Sequence, residues 1–235
     1  MTRWYKSHGY SFLVLSDHNV MQTGERWFPI DAPADPRLTA AHVAELRQRY
    51  GDDAVTVRER EGRQELRLWT LDELRARFEK AEEFLLIPGE ELSDGPPTRP
   101  VHVNGLNLAE SIPPQGGANA REMAERNLAA IVAQGERLQR PVLGHLNHPN
   151  FRWALTSDDL AELKSERFFE VYNGHPGTNG HGDATHPGNE ELWDRANARR
   201  RYELDLPLLY ALATDDAHDH HVDGPTKSNR GRGWI

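Results

Sequence analysis

The stretch Ser11-Phe-Leu-Val-Leu-Ser-Asp17 indicates the fold class, because its apolar run ends abruptly in polar residues. Short continuous apolar runs of this kind are typical of β-strands that are buried on both faces of a parallel sheet. Similar runs recur along the chain, with amphipathic helical segments between them. We predict strands at 11–17, 84–88, 101–108, 141–145, 168–172 and 206–214, and helices at 40–50, 70–81, 120–138, 156–164 and 189–204.

This alternation of strands and helices favours an α/β architecture with a mostly parallel sheet, either open or closed into a barrel. Residues 54–61 and 65–69 flank Gly62 and predict a β-hairpin. Because 235 residues are enough for one domain with a sizeable core, we predict a single domain over residues 1–235 that carries the hairpin as an insertion around residues 54–70.

The composition limits the chemistry that the chain can perform. It has 12 histidines, no cysteine and a formal net charge of −9. Without cysteine there is no disulfide, thiolate metal site or thiol nucleophile, so a metal would be held by nitrogen and oxygen ligands. The acidic balance argues against binding to a nucleic-acid backbone, which needs a basic surface.

The sequence gives no reason to expect a membrane partner. No apolar run approaches the roughly 18 residues that a transmembrane helix needs, and residues 1–6 lack the apolar core of a signal peptide. The cytoplasm is the default location and export stays open. The oligomeric state is not predicted.

Histidines and carboxylates lie at the ends of the predicted strands. In parallel α/β folds these ends meet at one edge of the sheet, which carries the active site. The residues concerned are Asp17, His18, Glu90, Glu91, His102, His145, His148, Glu170, His175, Asp216 and His218. A single Asp-His pair is more often a turn or a helix cap, but its repetition on successive strands favours one shared site.

Such a set fits a metal-dependent hydrolytic site. Imidazole suits zinc or iron, whereas carboxylates suit manganese or magnesium and can bridge two ions. Without a cation, neighbouring carboxylates would repel each other. A bound metal removes this repulsion and lowers the pKa of a bound water to about 7.

Six segments, in this order, closely resemble the PHP (polymerase and histidinol phosphatase) family. They are Ser11-Phe-Leu-Val-Leu-Ser-Asp-His-Asn, Ile87-Pro-Gly-Glu-Glu, His102-Val-Asn, Asn147-His-Pro, Phe169-Glu-Val-Tyr-Asn-Gly-His-Pro and Ala213-Thr-Asp-Asp-Ala-His. The chain is most similar to the stand-alone, carbaryl-hydrolase-type members. The resemblance implies a distorted (β/α)7 barrel with up to three divalent metals, such as zinc, manganese or iron.

The resemblance also implies which residues bind metal. His18 matches the histidine of the family's Asp-His motif, and Glu91 matches the carboxylate that bridges two metals. The remaining implied ligands are His102, His148, Asp216 and His218. Glu90 is the alternative to Glu91.

Three further residues at the same edge are predicted to be catalytic: Asp17, His145 and His175. His145 is also the alternative to His148 as a ligand. For His175, contact with the substrate and a place in a structural loop are equally good interpretations.

The start of the chain departs from the family pattern. Members begin with a strand that ends in His-x-His, and no such motif precedes Asp17. We therefore expect the chain to lack the family's first strand. Because Arg230-Gly-Arg-Gly-Trp-Ile235 resembles the start of a strand, we also expect it to lack the last βα unit. Fewer than three metals are then expected, with Glu91, His102 and His148 able to hold one.

The leading functional hypothesis is hydrolysis of a phosphoester or related ester, in a small anionic or ester substrate, by metal-activated water. The alternative is a catalytically impaired PHP-like binding or accessory module, since the His-x-His motif is absent. An amidohydrolase-type barrel is less favoured, because neither its early His-x-His nor its bridging lysine is visible.

Overall fold

The computed structural model describes residues 1–33, 37–220 and 223–233. The helices are α1 Thr2–Ser7, α2 Ala40–Tyr50, α3 Leu71–Phe78, α4 Ala120–Leu138, α5 Ser157–Glu162 and α6 Asn189–Arg199. The strands are β1 Phe12–Leu15, β2 Arg26–Pro29, β3 Val57–Arg60, β4 Arg63–Leu68, β5 Leu85–Asp94, β6 Val101–Leu106, β7 Leu143–Leu146, β8 Phe168–Asn173 and β9 Tyr210–Thr214. Of the strand predicted to start at Arg230, the last two residues lie outside the described ranges.

The chain divides into two compact units, where the sequence predicted one domain with a hairpin insertion. Residues Met1–Met21 and Lys80–Ile235 form the larger unit, and Gln22–Glu79 forms the smaller one. The predicted hairpin corresponds to β3 and β4, which pair antiparallel. In the smaller unit it joins β2 in a three-stranded sheet of order β2-β4-β3.

Side-chain caps fix where several helices begin. A capping box marks the start of α3: Thr70 Oγ1 accepts from the Glu73 amide at 3.3 Å, and the Glu73 carboxylate accepts from the Thr70 amide at 2.8 Å. Thr156 and Asp159 form the same arrangement before α5. Among the helices of the described residues, none is long and apolar enough to span a membrane.

The larger unit contains a six-stranded sheet of order β1-β5-β6-β7-β8-β9. The pairs β1/β5, β7/β8 and β8/β9 are parallel, whereas β6 runs antiparallel to both β5 and β7. The mostly parallel sheet that we predicted is therefore interrupted at β6. The physical reason is the short link at residues 95–100, because a parallel connection needs a crossover of a dozen or more residues.

The sheet is curled. Six flat strands would hold their outer edges about 24 Å apart at the usual strand spacing. His18, which follows edge strand β1, nevertheless has its ring centre 6.1 Å from that of His218, which follows the opposite edge strand β9. The mixed α/β class is confirmed, and the described residues form a curled open sheet in which no ladder joins β1 to β9. A closed seven-stranded barrel stays a prediction.

The apolar core lies between the convex face of this sheet and the helices. Alternate residues of β6 follow this division, since Val101 and Val103 are buried in the core. The side chains of His102 and Asn104 point to the opposite, concave face. Leu128 and Ile131 of α4 complete the core from the helical side. The concave face thus receives the polar residues.

A buried arginine links the helices of the larger unit. Arg200, immediately after α6, is fully buried. Its Nε donates to the Pro207 carbonyl at 2.6 Å, and its Nη1 donates to the carbonyls of Ala161 at 3.2 Å and Leu163 at 2.5 Å. Arg200 therefore joins the end of α6 to the end of α5 and to the segment before β9.

We expect Arg200→Ala to lower the free energy of unfolding by at least about 3 kcal/mol, because several buried carbonyls lose their donor. The matched control is Arg201→Ala at the adjacent exposed position, where a change within about 0.5 kcal/mol is expected. Urea denaturation of the two variants measures the difference. Equal effects would contradict the structural role of Arg200.

Candidate metal centre

The first part of the site comes from the parallel pair β1/β5. Beyond the end of β1, the Glu91 amide donates to the Asp17 carbonyl at 3.1 Å, and the Asn19 amide donates to the Glu91 carbonyl at 2.9 Å. This pairing sets His18 directly beside Glu91. The His18 Nδ1 atom lies 3.5 Å from Glu91 Oε2 and 2.6 Å from Ser93 Oγ.

His102 reaches the same place because β6 runs antiparallel. Its position near the start of β6 lies at the edge where the parallel strands end, and it pairs in register with Ser93. The His102 Nδ1 atom lies 3.0 Å from Glu91 Oε1. The reversed strand thus explains why a histidine near the beginning of a strand joins a site at strand ends.

The third part of the site comes from the segments that follow β7 and β9 in the chain. His148 Nε2 lies 3.7 Å from Glu91 Oε1 and 3.9 Å from Asp216 Oδ2. Asp216 Oδ1 in turn lies 3.4 Å from His218 Nδ1. All six residues implied as ligands by the resemblance therefore lie in one continuous cluster, built from both edges of the sheet.

The electrostatics of the cluster follow from burial and mutual charge. Burial raises the pKa of Glu91, but interactions with His102 and His148 and the charge of His18 outweigh it, so the pKa lies well below its ordinary value. Burial lowers the pKa of His148, but its interaction with Glu91 and the charges of Glu170 and Asp216 raise it to about 9. Negative charge therefore dominates around His148, as expected at a site that attracts a cation.

His18, Glu91 and His102 could hold a metal ion, because one ligand atom from each lies within 4.8 Å of the other two. Two imidazole nitrogens and a carboxylate oxygen form a donor set that divalent transition metals accept. The buried His102 Nδ1 has no hydrogen-bond partner of suitable geometry among the described residues, although Glu91 Oε1 is 3.0 Å away. An ion held between the two atoms would satisfy this buried nitrogen.

The group His18, Glu91 and His102 differs from the set of ligands that we expected to hold a metal when the His-x-His motif is absent. The expectation was Glu91, His102 and His148, whereas the compact group has His18 in place of His148. His148 lies between Glu91 and Asp216 instead.

The residues predicted to be catalytic occupy three different environments. Asp17 is exposed and connects to the cluster through its backbone carbonyl. His145 is buried, and its Nδ1 faces Glu170 Oε1 at 3.8 Å; burial lowers its pKa. The ring centre of His175 lies 5.2 Å from that of His218, and burial lowers the pKa of His175. Their catalytic roles stay predictions.

Glu90, the alternative to Glu91, lies outside the cluster. Its carboxylate accepts from Ser111 Oγ at 2.6 Å and from the Ile112 amide at 2.9 Å, and it is fully buried. Successive strand residues point to opposite faces of a sheet. Glu90 therefore anchors a loop, while its neighbour Glu91 faces the histidines.

Two polar side chains support the cluster, although neither was predicted to bind metal or to be catalytic. Asn147 donates through Nδ2 to Glu91 Oε1 at 3.0 Å, and Glu170 accepts from the His148 amide at 2.9 Å. Both carried a signal in the sequence, since Asn147 stands next to His148 and Glu170 lies on a strand of the site. Phe151 adds an apolar wall, with its ring centre 5.3 Å from that of His148 and 5.8 Å from that of His102.

A cavity of about 860 Å³ lies beside the cluster. Its walls include Asn173, His175, His181, Asp194 and Arg232. Because His175 also contacts His218, the cavity adjoins the candidate metal centre. A cavity of this size accommodates a small organic molecule.

Comparison of the chain with known proteins finds neither a matching family model nor a similar curated protein.

We expect Glu91→Gln to weaken Zn²⁺ or Mn²⁺ binding by at least about 100-fold, because the variant removes the charge that faces three imidazoles. Glu90→Gln is the matched control, since it makes the same change at the adjacent buried position. Its metal affinity should stay within about threefold of the unmodified protein. Isothermal titration calorimetry of the metal-free proteins measures both, and equal affinities would contradict the assignment of Glu91.

Proposed function

We propose that the chain is a metal-dependent hydrolase of the PHP type that acts on a phosphoester or related ester. The observation that carries the proposal is the convergence of His18, Glu91 and His102 from three strands, with His148, Asp216 and His218 adjoining them. The order of the motifs along the chain and the curled α/β sheet support the family assignment. The larger unit would then correspond to part of a distorted (β/α)7 barrel.

One or more zinc, manganese or iron ions held here would act as a Lewis acid and would lower the pKa of a bound water to about 7. The residues of the chain would hold and orient the reacting groups. Glu91 contributes both oxygens, one towards His18 and one towards His102 and His148. We propose that His175, which lines the cavity and lies next to His218, contacts a substrate or moves a proton.

The cavity next to His175 is the proposed position of the organic part of the substrate. Its walls combine charged and polar groups with the apolar surface of Val171 and Pro225; the charged and polar groups include Glu190, Glu191, Asp194, His181 and Arg232. A mixed lining of this kind is typical of sites for small organic molecules. The proposed substrate is therefore a small ester whose reacting group lies at the metal centre and whose remainder extends into the cavity.

The test is metal-dependent turnover of 4-nitrophenyl phosphate by the chelated and then reconstituted protein. We expect no activity after chelation, recovery with Mn²⁺ or Zn²⁺, and a loss of at least about 100-fold in His102→Ala, because this variant removes a ligand nitrogen. His8→Gln is the control, since His8 stacks on Trp4 outside the cluster and its variant should retain full activity.

The result also separates the two functional hypotheses. Metal binding without turnover of phosphate or carboxylate esters would contradict the hypothesis of an enzyme and favour that of a binding or accessory module. Absence of metal binding, measured on the same preparation by elemental analysis, would contradict both the metal centre and the hydrolase.

A further inference from the structure

A second buried carboxylate lies beneath the candidate metal centre and takes no part in the group that could hold the ion. Glu170 on β8 is 1% exposed. Its Oε2 accepts from the His148 amide at 2.9 Å and from Asn173 Nδ2 at 2.8 Å, and its Oε1 accepts from Thr214 Oγ1 at 2.6 Å. These hydrogen bonds come from three different strand ends.

Each bond of Glu170 leads to a residue of the site. The His148 amide belongs to an implied ligand, and Thr214 stands at the end of β9, two positions before Asp216. Asn173 extends the connection, because its Oδ1 accepts from the His175 amide at 2.8 Å. One side chain therefore links the loops that carry His148, Asp216 and His175.

The register of the sheet explains why the Glu170 side chain lies on the same face as the candidate ligands. Glu91 pairs with Asn104 across β5 and β6, and Asn104 pairs with His145 across β6 and β7. Cross-strand partners share a face of the sheet, so these residues form a transverse row on the concave face. Glu170 continues the row, because its Oε1 lies 3.8 Å from His145 Nδ1. The row therefore extends from the candidate ligand Glu91 to Glu170 along the concave face.

Glu170 suits a positioning role, because both of its oxygens accept hydrogen bonds and three of the roughly four acceptor positions of a carboxylate are occupied. A buried carboxylate that accepts several hydrogen bonds, one of them from a backbone amide, has little capacity left to bind metal or to accept a proton from a substrate. Carboxylates in this position next to metal ligands fix the orientation of those ligands. We propose that Glu170 is the positioning residue that holds His148, Asp216 and His175 in the arrangement needed for metal binding. This inference rests on the metal centre of the proposed function.

The test compares Glu170→Ala with Glu170→Gln. Glutamine keeps the shape and an oxygen for the His148 and Asn173 donors, while its amide group can donate to Thr214, whose hydroxyl then accepts. We expect Zn²⁺ binding to weaken about 10- to 100-fold in Glu170→Ala. In Glu170→Gln it should return to within about threefold of the unmodified protein. Calorimetric titration with Zn²⁺ measures both affinities.

A spectroscopic signature distinguishes positioning from general loss of stability. The visible absorption of bound Co²⁺ reports ligand geometry, and it should change in Glu170→Ala and be restored in Glu170→Gln. The matched control is Glu90→Ala, which removes another buried carboxylate that accepts from a hydroxyl and a backbone amide. It should lower stability while leaving the Co²⁺ spectrum and the Zn²⁺ affinity unchanged.

If Glu170→Ala does not fold, Thr214→Val removes a single hydrogen bond at nearly constant volume. It should weaken Zn²⁺ binding about three- to tenfold and alter the Co²⁺ spectrum. Unchanged affinity and spectrum in a folded Glu170→Ala or in Thr214→Val would overturn the inference, as would a Glu170→Gln variant as weak as Glu170→Ala. Absence of metal binding by the unmodified protein would instead overturn the proposed function.

Discussion

The burial of the Glu91 carboxylate is the constraint on which the site depends. A charged carboxylate that is 5% exposed is strongly disfavoured in a protein interior unless positive or hydrogen-bonding groups surround it. Because β5 lies between β1 and β6 in the sheet, His18 and His102 approach Glu91 from opposite sides. His148 and Asn147 approach it from β7. The curl of the sheet then brings Asp216 and His218 to the same point.

Much of this arrangement follows from local rules of the sequence. Apolar runs that end in polar residues indicate where β1 and β7 stop, and the ends of parallel strands share an edge. The strand that carries Glu91 is an exception, because β5 was predicted to stop at residue 88 and continues to Asp94. Side chains alternate between the two faces of a strand, and this alternation puts Glu90 and Glu91 on opposite faces. Only the family motif indicated in advance that Glu91 is the one that faces the site. The helix starts at Thr70 and Thr156 likewise follow from capping chemistry, which involves residues three positions apart.

Other features depend on contacts that no local pattern specifies. The role of Glu170 depends on strand register, because its partners His148 and Thr214 lie on other strands. The smaller unit includes β2, a strand that was not predicted and that pairs with β4 across residues distant in sequence. The direction of β6 was also hidden, because a predicted strand end at residue 88 left residues 89–100 as a link long enough for a parallel crossover. In the structure β5 continues to Asp94, and the link that remains is too short for one.

The reversal of β6 also has a consequence for the order in which the site can form. Strands β5 and β6 constitute a hairpin, so the encounter of Glu91 with His102 requires closure of only a short loop and is entropically inexpensive. The encounter of His18 with His218 requires nearly the whole chain to be in place. Contacts between neighbours in sequence form faster than distant ones. We therefore expect the contact between Glu91 and His102 to form within one hairpin before the contact between His18 and His218, which waits for the last strand to dock.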